Sequence, residues 1–333
     1  FQVFAERLGL PVATAFRRQD AISPSSKVYA GNLGYGPNPK LIERVKQADL
    51  ILAIGARLGE ATTDGYTVPP PTAPDRRLVH VHPDADELNR VYPADLAICA
   101  SMDEFAESAA LWDDGAVVDF DAGAEAHREW EEWATAHPNG HRLDMGQAVQ
   151  FMRDTLPADT IICNGAGNFA GWWHRYWRYE GFPTQLAPTC GAMGYGVPAA
   201  VAAALRHPDR TVVAVAGDGD FLMNGQELAT AAQHGAQMIV IVVDNSAYGT
   251  IRMHQEREFP GEDRISATRL ANPDFAALAE AYGAWSARAA TTDEFKDALV
   301  AAQGRSGLRL IHCTIDIEQL AASGASVSGL RER

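Results

Sequence analysis

Basic charge is scarce in this sequence. Its 333 residues hold 28 Lys and Arg against 43 Asp and Glu, a formal net charge of −15. Nucleic acids and anionic membrane surfaces reward clustered Lys and Arg, so neither is expected as a partner. Long apolar runs are missing as well. A membrane-spanning helix needs ~18 or more consecutive apolar residues, and the purest strand-like run, Met238–Val243, has six. The start shows no pattern of a secretory signal or transit peptide. Cysteine is sparse. Cys99, Cys163, Cys190 and Cys313 form no C-x-x-C pair, which argues against a zinc ribbon. Cys163 and Cys313 lie in apolar runs and read as buried free thiols, a usage that fits a reducing cytoplasm.

What is present is a folded chain of two-domain length. A hydrophobic content of 47% excludes general disorder, and ~150 residues per domain gives two domains. Strand and helix signals alternate. In the first half, 10–16, 49–55 and 77–82 read as strands and 41–48 as a helix; 68–74 is a proline-rich loop. In the second half, 160–163, 211–216, 238–244 and 308–314 read as strands. Helices are expected over 145–155, 192–205, 225–233, 275–282 and 293–302. Continuous apolar strands between helices indicate parallel sheets covered on both faces. The predicted class is α/β, with two doubly wound parallel-sheet domains over residues 1–115 and 141–333. A charged helical connector, 116–140, joins them.

In open parallel sheets, ligands sit beyond the carboxyl ends of strands. One strand ends in Gly217-Asp218-Gly219-Asp220, and another in Asp244-Asn245-Ser246-Ala247-Tyr248-Gly249. Asn245 follows Asp218 by 27 positions. Adjacent strands lie ~4.8 Å apart, so both side chains could reach one ion. A carboxylate, an amide oxygen and a backbone carbonyl form a hard oxygen set that suits Mg²⁺ with phosphate oxygens, while glycines let N–H groups approach the phosphate. A tight Gly-Asp-Gly turn beside an unrelated Asn turn is the structural alternative.

The stretch Gly217-Asp218-Gly219 through Asn245 resembles the motif of thiamine-diphosphate-dependent enzymes. The wider run, GDGDFLMNGQELATAAQHGAQMIVIVVDN, is similar to their acetolactate synthase-like branch. The resemblance implies a Rossmann-like, six-stranded central domain followed by a thiamine diphosphate-binding domain. It assigns Mg²⁺ to Asp218, Asn245 and the backbone oxygen of Ala247. It lines the diphosphate with Gly217, Gly219, Asp220, Tyr248 and Gly249. The segment Thr189–Pro198 matches the family's stretch under the cofactor. There the Gly191 carbonyl accepts from the aminopyrimidine, and Met193 wedges the cofactor into its V shape; ordinary core packing is the alternative for Met193.

The loop Gly165–Gly171 has G-x-G-x-x-x-G spacing, not the G-x-G-x-x-G of dinucleotide sites, so NAD is rejected. The resemblance nominates Gly167, Asn168 and Phe169 as a cap on the diphosphate. They replace a glutamine-histidine pair of many acetolactate synthases, and a plain glycine turn is the competing reading. His254, in a segment that borders the substrate entrance in the family, stands where these synthases often carry Trp. His254 or Arg252 could hold a substrate carboxylate; a merely exposed polar helix is the alternative. Trp172, Trp173, Tyr176, Trp177 and Tyr179 read as core or interface. In the first half, Gly31–Pro37 and Gly55–Glu60 are glycine loops. The second departs from the arginine-phenylalanine-aspartate pattern of FAD-binding synthases, which favours a scaffold over an FAD site.

The implied activity is decarboxylation of a 2-oxo acid followed by carboligation. Simple 2-oxo acid decarboxylation, benzoylformate or phenylpyruvate decarboxylase-like, stays open, as does a fragment that binds cofactor without turnover. The family's activating glutamate belongs to a pyrimidine-binding domain of the neighbouring subunit in a homodimer or homotetramer. Glu6, Glu43 and Glu60 fall in the central-domain pattern and are not given that role. The start at Phe1, without Met, reads as a cut, which makes the chain the carboxy-terminal part of a longer enzyme and inactive alone.

Overall fold

The computed structural model describes residues 1–72, 76–112, 121–259 and 264–332. Two residues of the proline-rich loop, 73–74, and residues 116–120 of the expected connector lie outside them. The chain divides into two compact units, Phe1–Trp133 and Ala134–Arg333. Among the described residues every strand pairing in both is parallel, apart from one isolated antiparallel bridge. The α/β class therefore holds. Among the described residues no helix is long and apolar enough to cross a membrane.

The first unit carries β1 (Val12–Thr14), β2 (Tyr29–Asn32), β3 (Leu50–Ile54), β4 (Arg77–His82) and β5 (Leu96–Cys99). They form a two-stranded sheet, β1-β2, and a three-stranded sheet, β3-β4-β5. Among the described residues these sheets hold five strands, where the resemblance implies a six-stranded unit. The β1–β2 register slips between Val12 and Ala13, and Gly31 inside β2 has φ +105°, both of which interrupt a regular ladder. A Cβ at Gly31 would stand 2.9 Å from Trp130, and one at Gly55 2.7 Å from the Met102 sulfur. Glycine is needed in both loops by the unit's own packing. Trp130 belongs to the helix Ala122–Trp133, within the stretch expected as a connector. That helix covers β2, with Tyr29 and Trp130 rings edge-on at 4.7 Å.

Local signals place the other helices. Asn38 Oδ1 accepts from the Lys40 N–H and Pro39 opens the helix Pro39–Gln47, as expected for a capped start with proline in the first turn. Ser101 and Glu104 form a capping box on Met102–Leu111, as do Thr291 and Glu294 on Thr292–Gln303.

The second unit holds β6 (Ile161–Asn164), β7 (Gln185–Leu186), β8 (Val212–Gly217), β9 (Met238–Asp244), β10 (Trp285–Ala289) and β11 (Leu308–Thr314). Their order is β10-β11-β9-β8-β6-β7. All of β9 is buried, which explains an apolar run with no alternation: helices cover both faces. One core cluster contains Met145, Val149, Trp172, Trp173, Trp177 and Tyr179. The aromatic run is thus core. Cys163 and Cys313 are buried free thiols, while Cys99 and Cys190 are exposed. The chain leaves β6 for β7 on one side and returns as β8 on the other. The order reverses between β6 and β8, and a crevice opens at such a point beyond the strand ends.

Candidate active site

Three loops meet at that reversal. The first follows β6, the second precedes the helix Gly196–Arg206, and the third opens the helix Asp218–Asn224. Asp220 ties them together. Its Oδ1 accepts the Ala166 N–H at 3.0 Å and the Gly194 N–H at 2.9 Å. A Cβ at Gly165 would lie 2.0 Å from Asp220 Oδ2, so only glycine permits this approach. Asp220 is buried, and its carboxylate works through the loops' backbone.

Asp218 begins its helix at the end of β8 and is buried. Its Oδ1 accepts the Gly219 N–H at 2.9 Å. Its Oδ2 accepts the Ala247 N–H at 3.1 Å and the Asn272 Nδ2–H at 2.8 Å. The Ala247 N–H is also donated to Asn245 Oδ1, at 3.2 Å. The carboxylate and the amide therefore converge on one backbone atom. The turn that brings this about has Ser246 in the left-handed region, φ 54°, uncommon for a residue with a Cβ. Burial pushes Asp218 up to about 6, against hydrogen bonds from Asn272 and Gly219, and the Asp244 charge adds to the rise. For Asp244, burial is outweighed by hydrogen bonds from His312, Ser246 and Asn272, which hold it below the usual carboxylate range.

Phe169 is buried over two glycines: a Cβ would stand 2.7 Å from its ring at Gly217 and 3.0 Å at Gly167. Asn168 is bound to the helix Gly249–Glu258. Its N–H donates to Thr250 Oγ1 at 2.9 Å, and that hydroxyl donates to Asn168 Oδ1 at 3.0 Å. Tyr248 covers Gly219, where a Cβ would meet the ring at 2.5 Å, and a Cβ at Gly249 would meet Asn245 Nδ2 at 3.0 Å. Gly191, with φ +75°, has open space around it. Met193 is 36% exposed, so ordinary core packing does not describe it.

On the helix Gly249–Glu258, His254 is exposed. Arg252 is buried and bonded to Glu256 through Nε at 2.7 Å. Glu256 is fully buried and takes two further bonds from Arg331, at 2.8 and 3.0 Å. Arg252 is thus engaged by Glu256. Hydrogen bonds from Arg331 hold Glu256 below 4.5 against its burial, with Arg252 contributing.

Sequence reading missed Thr250, Glu256, Asn272 and His312. Asn272-Pro273 before the capping Asp274 signals a turn into a helix, but nothing in that signal indicates that the amide bonds two carboxylates. Among the described residues no cluster of three or more His, Cys, Asp or Glu could hold a metal. The donors at Asp218 and Asn245 are oxygens, the set chosen by a hard divalent cation.

Residues 1–108 match the family described as "Thiamine pyrophosphate enzyme, central domain", and residues 165–313 match "Thiamine pyrophosphate enzyme, C-terminal TPP binding domain". The acetolactate synthase isozyme 2 large subunit of Escherichia coli is 29% identical over 332 residues, covering 97% of this chain and 59% of that protein. An acetolactate synthase large subunit of Parasynechococcus marenigrum is 30% identical over 85% of this chain and 46% of its own length. The sulfoacetaldehyde acetyltransferase of Alcaligenes xylosoxydans is 27% identical over 84% of this chain and 51% of its own length. The chain spans about half the length of the curated relatives it matches. With both matches in chain order and the strand-end loops arranged as above, the chain belongs to the thiamine pyrophosphate enzyme family, of which it carries the central and C-terminal TPP-binding domains.

Proposed function

We propose that this chain forms the Mg²⁺–diphosphate half of a thiamine-diphosphate-dependent enzyme acting on 2-oxo acids. The reaction is decarboxylation followed by carboligation, as in an acetolactate synthase. The observation that carries the reading is the convergence of Asp218 Oδ2 and Asn245 Oδ1 on the Ala247 N–H. A buried carboxylate carries its charge at a desolvation cost, which a bound cation offsets.

In this reading Asp218, Asn245 and the Ala247 carbonyl hold Mg²⁺. Gly217, Gly219, Asp220, Tyr248 and Gly249 line the diphosphate, and the Gly167–Phe169 loop, fastened by Thr250, caps it. The Gly191 carbonyl accepts from the aminopyrimidine, and the exposed Met193 supports the space between the two rings. Thiamine diphosphate, when bound, supplies a nucleophilic carbon for the 2-oxo acid carbonyl and an electron sink for the carbon that loses CO₂. The exposed His254 orients the substrate carboxylate. The reading includes a pyrimidine-binding domain from a neighbouring subunit, a homodimeric or homotetrameric assembly and a cytoplasmic site of action. The first unit is a scaffold, a reading supported by the packing of Gly31 against Trp130 and of Gly55 against Met102.

The test is a screen of 2-oxo acids, pyruvate first, with the full-length protein, thiamine diphosphate and Mg²⁺. CO₂ release together with a 2-hydroxy-3-oxo acid product is expected. CO₂ release with only an aldehyde product would favour a decarboxylase, and no CO₂ from any 2-oxo acid would overturn the reading.

A further inference from the structure

We propose that Asn272 is a positioning residue that selects Asp218, and not the neighbouring Asp244, as the carboxylate offered to the metal; this rests on the reading of Asp218 as a metal ligand. Backbone pairing places Asn272 there. The Tyr248 N–H donates to Thr268 O at 2.9 Å, the Leu270 N–H donates to Ser246 O at 2.8 Å, and Ala247 and Arg269 form an antiparallel bridge. The stretch 268–270 therefore runs beside the turn that presents Asn245 and Ala247, and delivers Asn272 to the ends of β8 and β9.

There, one amide nitrogen serves two carboxylates. Asn272 Nδ2 donates to Asp218 Oδ2 at 2.8 Å and to Asp244 Oδ1 at 2.8 Å. The chemistry fixes the orientation of the amide. Turned over, it would set its oxygen against two carboxylate oxygens, a repulsive contact, so the nitrogen must face them.

The two acids differ in what remains to them. Asp244 Oδ1 also accepts the Ser246 N–H at 2.8 Å and the Ser246 hydroxyl at 3.3 Å, and Asp244 Oδ2 lies 2.9 Å from His312 Nε2, which with Asn272 makes four partners. The His312 ring is itself held edge-on against Phe275, at 5.2 Å. Asp244 is thus fully engaged and acts as an anchor for Asn272. Asp218 accepts only three N–H groups over two oxygens. A carboxylate offers about four acceptor sites, so capacity for a cation remains. Second-layer hydrogen bonds of this kind set the orientation and basicity of a metal ligand.

The test is Mn²⁺ binding to the full chain in the presence of thiamine diphosphate, followed by electron paramagnetic resonance. Asn272→Ala is expected to weaken Mn²⁺ binding about 10–100-fold. Leu299→Ala, a change in the buried core, is expected to lower the thermal midpoint and leave Mn²⁺ affinity unchanged, which separates positioning from general destabilisation. Should Asn272→Ala not fold, Asn272→Ser keeps a single donor and is expected to show the same loss in smaller measure. Wild-type affinity in the folded Asn272 variant, with Asp218→Ala losing Mn²⁺, would overturn the positioning role and leave the metal site standing. An unchanged affinity in Asp218→Ala, or no Mn²⁺ bound by the wild type, would overturn the metal-site reading and this proposal with it.

Discussion

The Asp220 carboxylate accepts the backbone N–H of Gly194 at 2.9 Å, and through the same oxygen it also accepts the Ala166 N–H. One side chain thus fixes two loops that share no strand pairing with each other. Asp220→Ala strands both donors, and an unsatisfied buried donor costs about 1–3 kcal/mol. The expected loss of stability is on the order of 2–6 kcal/mol by urea denaturation. Asp220→Asn, which retains an acceptor, loses less. Equal losses for the two variants would contradict the role given to that oxygen.

Gly219→Ala tests the closeness of Tyr248. The added Cβ would stand 2.5 Å from the ring, too near for any side-chain adjustment short of moving the tyrosine. Overpacking of this kind costs about 1–3 kcal/mol, and affinity for thiamine diphosphate should fall together with stability. A variant with wild-type urea midpoint and cofactor affinity would show that Tyr248 has room to move.

The Thr250 hydroxyl both receives the Asn168 N–H and donates to the Asn168 side chain. Thr250→Val keeps the shape and removes both bonds. Stability is expected to fall about 1–2 kcal/mol, with faster amide hydrogen exchange confined to the 165–171 loop. Unchanged exchange in that loop would mean that Asn168 is held by other contacts.

How much of this was legible beforehand follows the physics of each signal. The strand Met238–Asp244 was readable to the residue because burial on both faces leaves an unbroken apolar run. The helix expected over 192–205 starts only at Gly196. Gly191 and Gly194 have φ of +75° and +83°, and such residues shape a loop that composition alone does not separate from an alanine-rich helix. Strand β10, Trp285–Ala289, went unread because it is half-exposed and lies at the sheet edge. Asp218 and Asn245 were visible because their spacing reflects two adjacent strands. Asn272 was not, since it reaches the same place through the pairing of two irregular segments, which leaves no periodic trace.

Glu256 gives a prediction in pH. Its folded value lies below 4.5, so its stabilising effect is complete above the unfolded value. The effect is lost as pH falls through the lower, folded one. Breaking a buried ion pair costs about 3–5 kcal/mol. At pH 7 Glu256→Gln should therefore be less stable than wild type by about that much. The gap in urea midpoints should narrow as the pH falls below the ordinary glutamate range. A gap that stays constant over that range would contradict the pairing with Arg331 and Arg252.

The central claim is that Asp218 and its strand-end neighbours hold Mg²⁺ and the cofactor diphosphate. Calorimetric titration of thiamine diphosphate in the presence of Mg²⁺, into wild type and Asp218→Ala, tests it most directly. Saturable heat that requires Mg²⁺ for wild type, and none for Asp218→Ala, is the expected result. No heat for wild type, or the same binding curve for both proteins, would contradict the account.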